Sequence, residues 1–487
     1  MQADRRSDAI EAMANEPDDS RARGLEEAVL TRLAPGEAGF LLDHYRCAAE
    51  VRAFEVAEPL GADPVFFRFG RDAMCYGRTA SKGFPASEGG VPDLGRAVEQ
   101  RDGSLVLPFD PQEVLDNLRF ERYVKPGVSK SWVEKSWTQR AYYALRPALP
   151  VAVRKHMQRA YFRWRRGGTF PAWPLDRSAD VLLERLLVLA METLGTDRIP
   201  FIWFWPDEHR AAAILTHDVE TAAGRDFTSA LMDLDEAAGV LSAFQIVPED
   251  RYSVTSDYVA MIRERGFEVN LHGLNHDGNM FGERAGFLAQ AARISEYAER
   301  FGVRGFRSPS LYRNIDWFAD LPFAFDMSIP NVARFEAQPG GCCTVMPYFL
   351  PGGMLELPLT MTEDYTLFHI LSDHSMTLWK SQAESIVEAH GLMSVLVHPD
   401  YVIERRAQDV YKQLLGEIDR LRAEAGLWVA LPGEVDRWWR QRAGMELVGE
   451  GGTWRVEGEG SDRASVAYAC LDGGGVSYEV QHAEIAS

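Results

Sequence analysis

From Phe201 onward, short apolar runs alternate with stretches whose apolar residues recur at helical spacing. The runs are AAAILTH, LSAFQIV, FEVNLHG, VRGFRSP, FAFDMSI, MLELPLT, LMSVLVHP and LWVALP. Between them the spacing predicts helices near 226–238, 255–265, 282–301, 377–390 and 406–424. Repeated strand-then-helix units imply parallel strands with helical crossovers, and seven or eight of them imply a closed or nearly closed barrel. In such a barrel the chemistry gathers where the strands end at their C-terminal face.

The rest of the chain reads differently. Residues 1–40 are polar and acidic and predict a leader with a short helix. From Leu41 to Tyr123, mixed segments broken by Gly and Pro predict a small α+β region. VLLERLLVLAMETL places Leu182, Leu183, Leu186, Leu187, Ala190 and Leu194 on one stripe of a core helix. After Gly444, Gly-rich turns between alternating segments predict a small β appendage. The expected division is therefore 1–200 as an N-terminal α+β and helical region, 201–444 as the barrel and 445–487 as the appendage.

Five polar strand ends carry the candidate chemistry. AAAILTHDVE is apolar up to Leu215 and then delivers Asp218 and Glu220, which at i and i+2 share one side of the sheet. A paired acid of this kind also caps helices, so alone it does not decide a function. FEVNLHGLNHDG brings His272 and His276, and two imidazoles with a carboxylate make up a catalytic zinc set that leaves one position for water. VRGFRSPS places Arg307, a planar cation able to fix a carboxylate. FAFDMSIPN holds Asp326, and LMSVLVHPDY ends a buried strand on His398. Any one of these has an ordinary structural explanation; five in consecutive units do not share one.

This ordered set resembles the polysaccharide deacetylase family, the NodB-homology or carbohydrate esterase family 4 group, over roughly Phe201 to Gly444. The resemblance implies a distorted (β/α)7-type barrel and metal-dependent removal of acetyl groups from an acetylated sugar or oligosaccharide. It assigns Asp218 as general base, with Glu220, His272 and His276 as ligands of a divalent metal, zinc first among the candidates. Arg307 then orients Asp218, Asp326 tunes the late His, and His398 serves as general acid. Glu220 departs from the family's usual Asp by one methylene. The Asp-Val-Glu spacing therefore also admits Asp218 as the ligand, with the base missing and the site binding-only. Two alternatives stay open: a catalytically inactive carbohydrate-binding or assembly protein, and an amide hydrolase acting on a non-sugar substrate. Tyr312, Trp317 and Tyr401 are candidates for stacking on a sugar ring, though core packing explains each equally well.

Charge narrows the partners. Lys+Arg 52 against Asp+Glu 72 gives −20, which disfavours nucleic acid and anionic membrane as partners of the whole chain. One local exception stands out: Lys130 to Arg166 holds ten Lys/Arg against one Glu, interleaved with aromatics. That stretch fits a helical pair with inward-facing rings, or a contact for a lipid-linked glycan or a membrane surface. The five cysteines show no CxxC spacing and read as reduced thiols. With no apolar signal-peptide core and no run of 18 or more apolar residues, a cytoplasmic location is expected, which would suit surface-polysaccharide biosynthesis.

Overall fold

The computed structural model describes residues 39–48, 54–70, 72–80, 90–101, 104–124, 170–450 and 452–481. The polar leader and the basic aromatic stretch 130–166 lie outside the described residues.

Seven strands run parallel in one curled sheet. They are β1 (Ala211–Val219), β2 (Ala243–Ile246), β3 (Glu268–His272), β4 (Gly305–Arg307), β5 (Phe325–Asp326), β6 (Leu355–Glu356) and β7 (Leu392–Leu396), in the spatial order β6-β5-β4-β3-β2-β1-β7. The crossovers include α1 (Ala222–Ala237), α2 (Ser256–Glu264), α3 (Arg284–Phe301) and α4 (Thr377–Glu388). α5 (Arg405–Ala425), β8 (Leu427–Val429) and α6 (Pro432–Gly444) then complete the unit.

No strand ladder joins β6 to β7. The chain leaving β6 closes the gap instead: Met361 N–H donates to Ser394 O at 3.1 Å. Thr360 Oγ1 donates to Leu392 O at 2.7 Å and accepts from Ser394 N–H at 2.9 Å. The result is the distorted (β/α)7-type barrel that the resemblance implies. β8, the eighth apolar run, pairs with Ala211–Ala213 at the start of β1 and so extends the sheet at its lower end.

Strand periodicity sorts the core into two bodies. Ala211, Ala213, Leu215 and Val219 face outward into a cluster shared with the helices, among them Leu231, Phe287, Ile386 and Tyr411. Ala212, Ile214, Phe325, Met327, Leu355 and Leu392 face the other way. They join the helix Ser178–Leu194, Trp203, Trp205 and Trp438 in a second cluster that plugs the barrel. Burying this much aliphatic and aromatic side chain, at about 1.5–3 kcal/mol each, is the main force holding the barrel shut.

The flanking regions are built into this body. The α+β region appears as short strands from Phe54–Val56 to Ser104–Leu107 followed by the helix Pro111–Arg119. Its end braces the barrel loops: Glu121 takes Arg313 Nε–H at 2.7 Å and a second bond from Nη2. Asn331 Oδ1 accepts from Asp176 N–H at 2.8 Å. At the other end, Val466–Asp472 pairs antiparallel with Arg198–Ile202, so the C-terminal appendage shares a sheet with the residues entering the barrel. Among the described residues, no helix is long and apolar enough to cross a membrane.

Candidate active site

β1 shows how the sequence builds the site. Its two-residue period turns Thr216 and Asp218 inward with Ala212 and Ile214, and Glu220 follows on the same side just before Thr221 caps α1. His217 points outward, where its Nε2 lies 3.1 Å from Asp235 and its Nδ1 donates to Val397 O at 3.0 Å. Asp218 is 2% exposed and accepts from Arg307 Nη1 at 3.1 Å. Arg307 itself is pinned, donating from Nε to Met327 O at 2.9 Å and from Nη1 to Thr216 Oγ1 at 2.9 Å. The cation thus fixes the carboxylate in one orientation.

Glu220 is the hub. Its Oε1 lies 3.3 Å from His272 Nε2, 2.7 Å from His276 Nε2 and 3.6 Å from His398 Nε2. Burial works against its charge, but His276, His272 and His398 together outweigh this and hold Glu220 well below the usual carboxylate range. His272 also stands 3.6 Å from Asp218 Oδ2. A glycine follows His272 because Gly273 has φ +63° and a Cβ there would run into Pro309. His276 holds φ 55°, a conformation that costs a non-glycine residue roughly 1 kcal/mol or more and is kept here by its surroundings.

The donor chemistry can be tested against a divalent cation. His272 Nδ1 faces the carbonyl of Arg307 at 3.2 Å, and a carbonyl only accepts, so Nδ1 carries the hydrogen. In the neutral ring that a metal ligand requires, its Nε2 then turns a lone pair towards the Glu220 carboxylate. Two acceptors face each other, an arrangement that a shared cation relieves. Glu220, His272 and His276 offer donor atoms within 4.8 Å of one another, and their composition suits zinc. His276 is arranged differently. Arg251 Nη2 donates to its Nδ1 at 2.9 Å and to its backbone carbonyl at 3.0 Å. In this arrangement Nε2 carries the hydrogen given to Glu220, so exposed Arg251 has to release Nδ1 before His276 can act as a ligand.

His398 is gripped by a residue the sequence reading passed over. Its Nδ1–H donates to Asp364 Oδ1 at 2.7 Å and its backbone N–H to Asp364 Oδ2 at 2.7 Å. Burial disfavours charge on the ring, yet Asp364 and Glu220 outweigh it and push His398 well above its ordinary value. Asp364 also caps the π-helical turn Tyr365–Leu371, accepting from Tyr365 N–H at 2.8 Å.

The expectation that Asp326 partners His398 is therefore corrected. Asp326 takes Ser328 Oγ–H at 2.6 Å and Ser328 N–H at 3.0 Å. Its register partners are Phe306 and Glu356, which places it on the outer side of β5, opposite Phe325 and Met327. One residue of strand alternation turns it away from the barrel interior. Burial raises both Asp326 and Glu356, and Glu356 is lifted further by Asp326.

Of the three candidate stacking residues, Tyr401 lies against the His398 ring with centroids 4.8 Å apart. Trp317 packs on Phe287 at 5.2 Å. Tyr312 lies beside Gly278, in the turn that follows His276.

No protein-family model matches this chain, and no curated protein matches its sequence. Solved structures do resemble it. An assigned polysaccharide deacetylase of Mycobacterium smegmatis matches with 18% identity and a TM-score of 0.41, over 49% of this chain and 93% of that one. The peptidoglycan deacetylase PdaC of Bacillus subtilis matches with 12% identity and a TM-score of 0.33, over 49% of this chain and 95% of that one. The Puue allantoinase matches with 12% identity and a TM-score of 0.38, over 48% and 92%.

Proposed function

We propose that this chain is a metal-dependent hydrolase that removes acetyl groups from an acetylated sugar or oligosaccharide. The observation that carries the reading is the convergence of Glu220, His272 and His276 on one point, with Asp218 Oδ2 3.6 Å from His272 and His398 Nε2 3.6 Å from Glu220. Glu220, His272 and His276 would hold a divalent ion, which would supply Lewis acidity for the attacking water and the acyl carbonyl.

The chain's own residues do the rest. Asp218, held by Arg307, takes the proton from the attacking water. His398, charged because Asp364 faces its Nδ1, gives its Nε2 proton to the departing amine or hydroxyl of the sugar. Without that proton an amine would have to leave as an anion. Tyr401, tilted 38° to the His398 ring, offers an apolar face to the sugar ring on the leaving-group side. Zinc as the ion, a cytoplasmic location and a role in surface-polysaccharide biosynthesis belong to the same proposal. So does contact with a lipid-linked glycan or a membrane through residues 130–166.

A substrate panel tests it. N-acetylglucosamine oligomers are expected to release acetate in the presence of Zn2+, and small ureides are expected to stay intact. Ureide hydrolysis without acetate release would move the site to the non-sugar amide class. Glycan binding with neither product would make it a binding protein.

A further inference from the structure

Glu220 belongs to two donor groups. One contains His272 and His276; in the other, Asp218 and His398 bring an oxygen and a nitrogen within 4.8 Å of a Glu220 oxygen and of each other. The second group is not knitted together by hydrogen bonds. His398 Nε2 stays 3.6 Å from Glu220 Oε1, beyond good hydrogen-bond length. Each member has its other polar atom committed elsewhere. His398 Nδ1 is held by Asp364, which aims Nε2 inward, and Asp218 Oδ1 is held by Arg307, while its Oδ2 faces His272 Nε2 at 3.6 Å. Two carboxylates and an imidazole, largely withdrawn from solvent, make a donor set of the kind that binds zinc-type dications.

We infer that Asp218, Glu220 and His398 form a second dication site, bridged to the first through Glu220 and filled only when metal is in excess, and that filling it stops the reaction. The inhibition rests on the hydrolase reading above, because an ion there displaces the His398 Nε2 proton to solvent, removing the proton to be given, and occupies the Asp218 oxygen that takes one. Weaker binding follows from charge: Arg307 lies 3.1 Å from Asp218, and the first ion repels a second across the shared carboxylate. The second site therefore binds at least about tenfold more weakly than the first. An imidazole ligand favours Zn2+, Co2+ or Ni2+ over Mg2+, so excess Mg2+ leaves the rate unchanged.

The test is equilibrium dialysis of the full chain against rising free Zn2+, with bound metal counted by elemental analysis and acetate release followed in parallel. Wild type is expected to take up one ion and then, at tenfold or higher free zinc, a second, with the rate rising over the first step and falling over the second. His398→Gln is expected to stop at one ion. Asp218→Asn gives an independent check with the same expected stop, and the melting curve of each variant reports whether it folds. Saturation of wild type at one ion, or a second ion retained by both variants, overturns the second site. A chain that takes up no ion at low zinc contradicts the hydrolase reading itself.

Discussion

Asp364 holds His398 at two points, with Oδ1 on the ring Nδ1–H and Oδ2 on the backbone N–H, both at 2.7 Å. The first bond fixes the tautomer, so that Nε2 is the nitrogen presented to the site, and the second fixes where the ring stands. Asp364→Asn is expected to lower kcat by about 10–100-fold with metal content unchanged. The basic limb of the pH–rate profile should move to lower pH, because an acid that Asp364 holds well above its ordinary value loses that support. An unmoved limb would mean that His398 is not the proton donor.

The two aspartates on β1 and β5 are expected to separate cleanly. Asp218→Asn should keep the metal bound at one equivalent and lose about 10²–10⁴-fold in turnover. Asp326→Asn, outside the barrel interior, should change stability and leave turnover near wild type. Loss of the ion on Asp218→Asn would favour the arrangement in which Asp218 is a ligand.

Much of this arrangement is written in local periodicity. The two-residue period of a strand places Asp218 and Glu220 on one side, and helical spacing puts α1 to α5 within a few residues of their expected bounds. His272 and His398 were legible because each closes an apolar run, and His276 because it closes the turn after His272. Asp364 follows the same rule, since Glu363 and Asp364 lie just past MLELPLT, but the chain wanders through Thr360 and Met361 to close the ring before reaching it. That detour breaks the spacing that would have flagged it. Asp326 shows the converse: two-residue strands such as β5 carry too little pattern to say which side is inward. Arg251 was invisible because it acts from a loop, and a loop arginine carries no spacing signal.

Arg251 and the ion compete for the state of the His276 ring. A guanidinium only donates, so while Arg251 holds Nδ1 the hydrogen stays on Nε2. Arg251→Ala is expected to tighten the first Zn2+ severalfold, read by calorimetric titration. Unchanged or weaker binding would show that the Arg251 contact does not oppose the ion.

Glu356 and Asp326 predict a pH dependence of stability unrelated to catalysis. Burial and the nearby Asp326 raise Glu356 well above the ordinary glutamate value. A carboxyl whose proton is held more tightly in the folded chain contributes stability below the unfolded value and loses it as pH rises through the folded one. Urea denaturation should therefore show stability falling as pH rises above about 4.5, with Glu356→Gln flattening the fall. An identical slope in the variant would remove the pair as its source.

The proposed function requires an ion held by Glu220, His272 and His276. The direct measurement is elemental analysis of wild type and His272→Ala after each is offered one equivalent of Zn2+ and passed through a desalting column. Wild type is predicted to retain close to one ion per chain and His272→Ala, still folded by its melting curve, almost none. Equal zinc in the two proteins, or none in wild type, would contradict it.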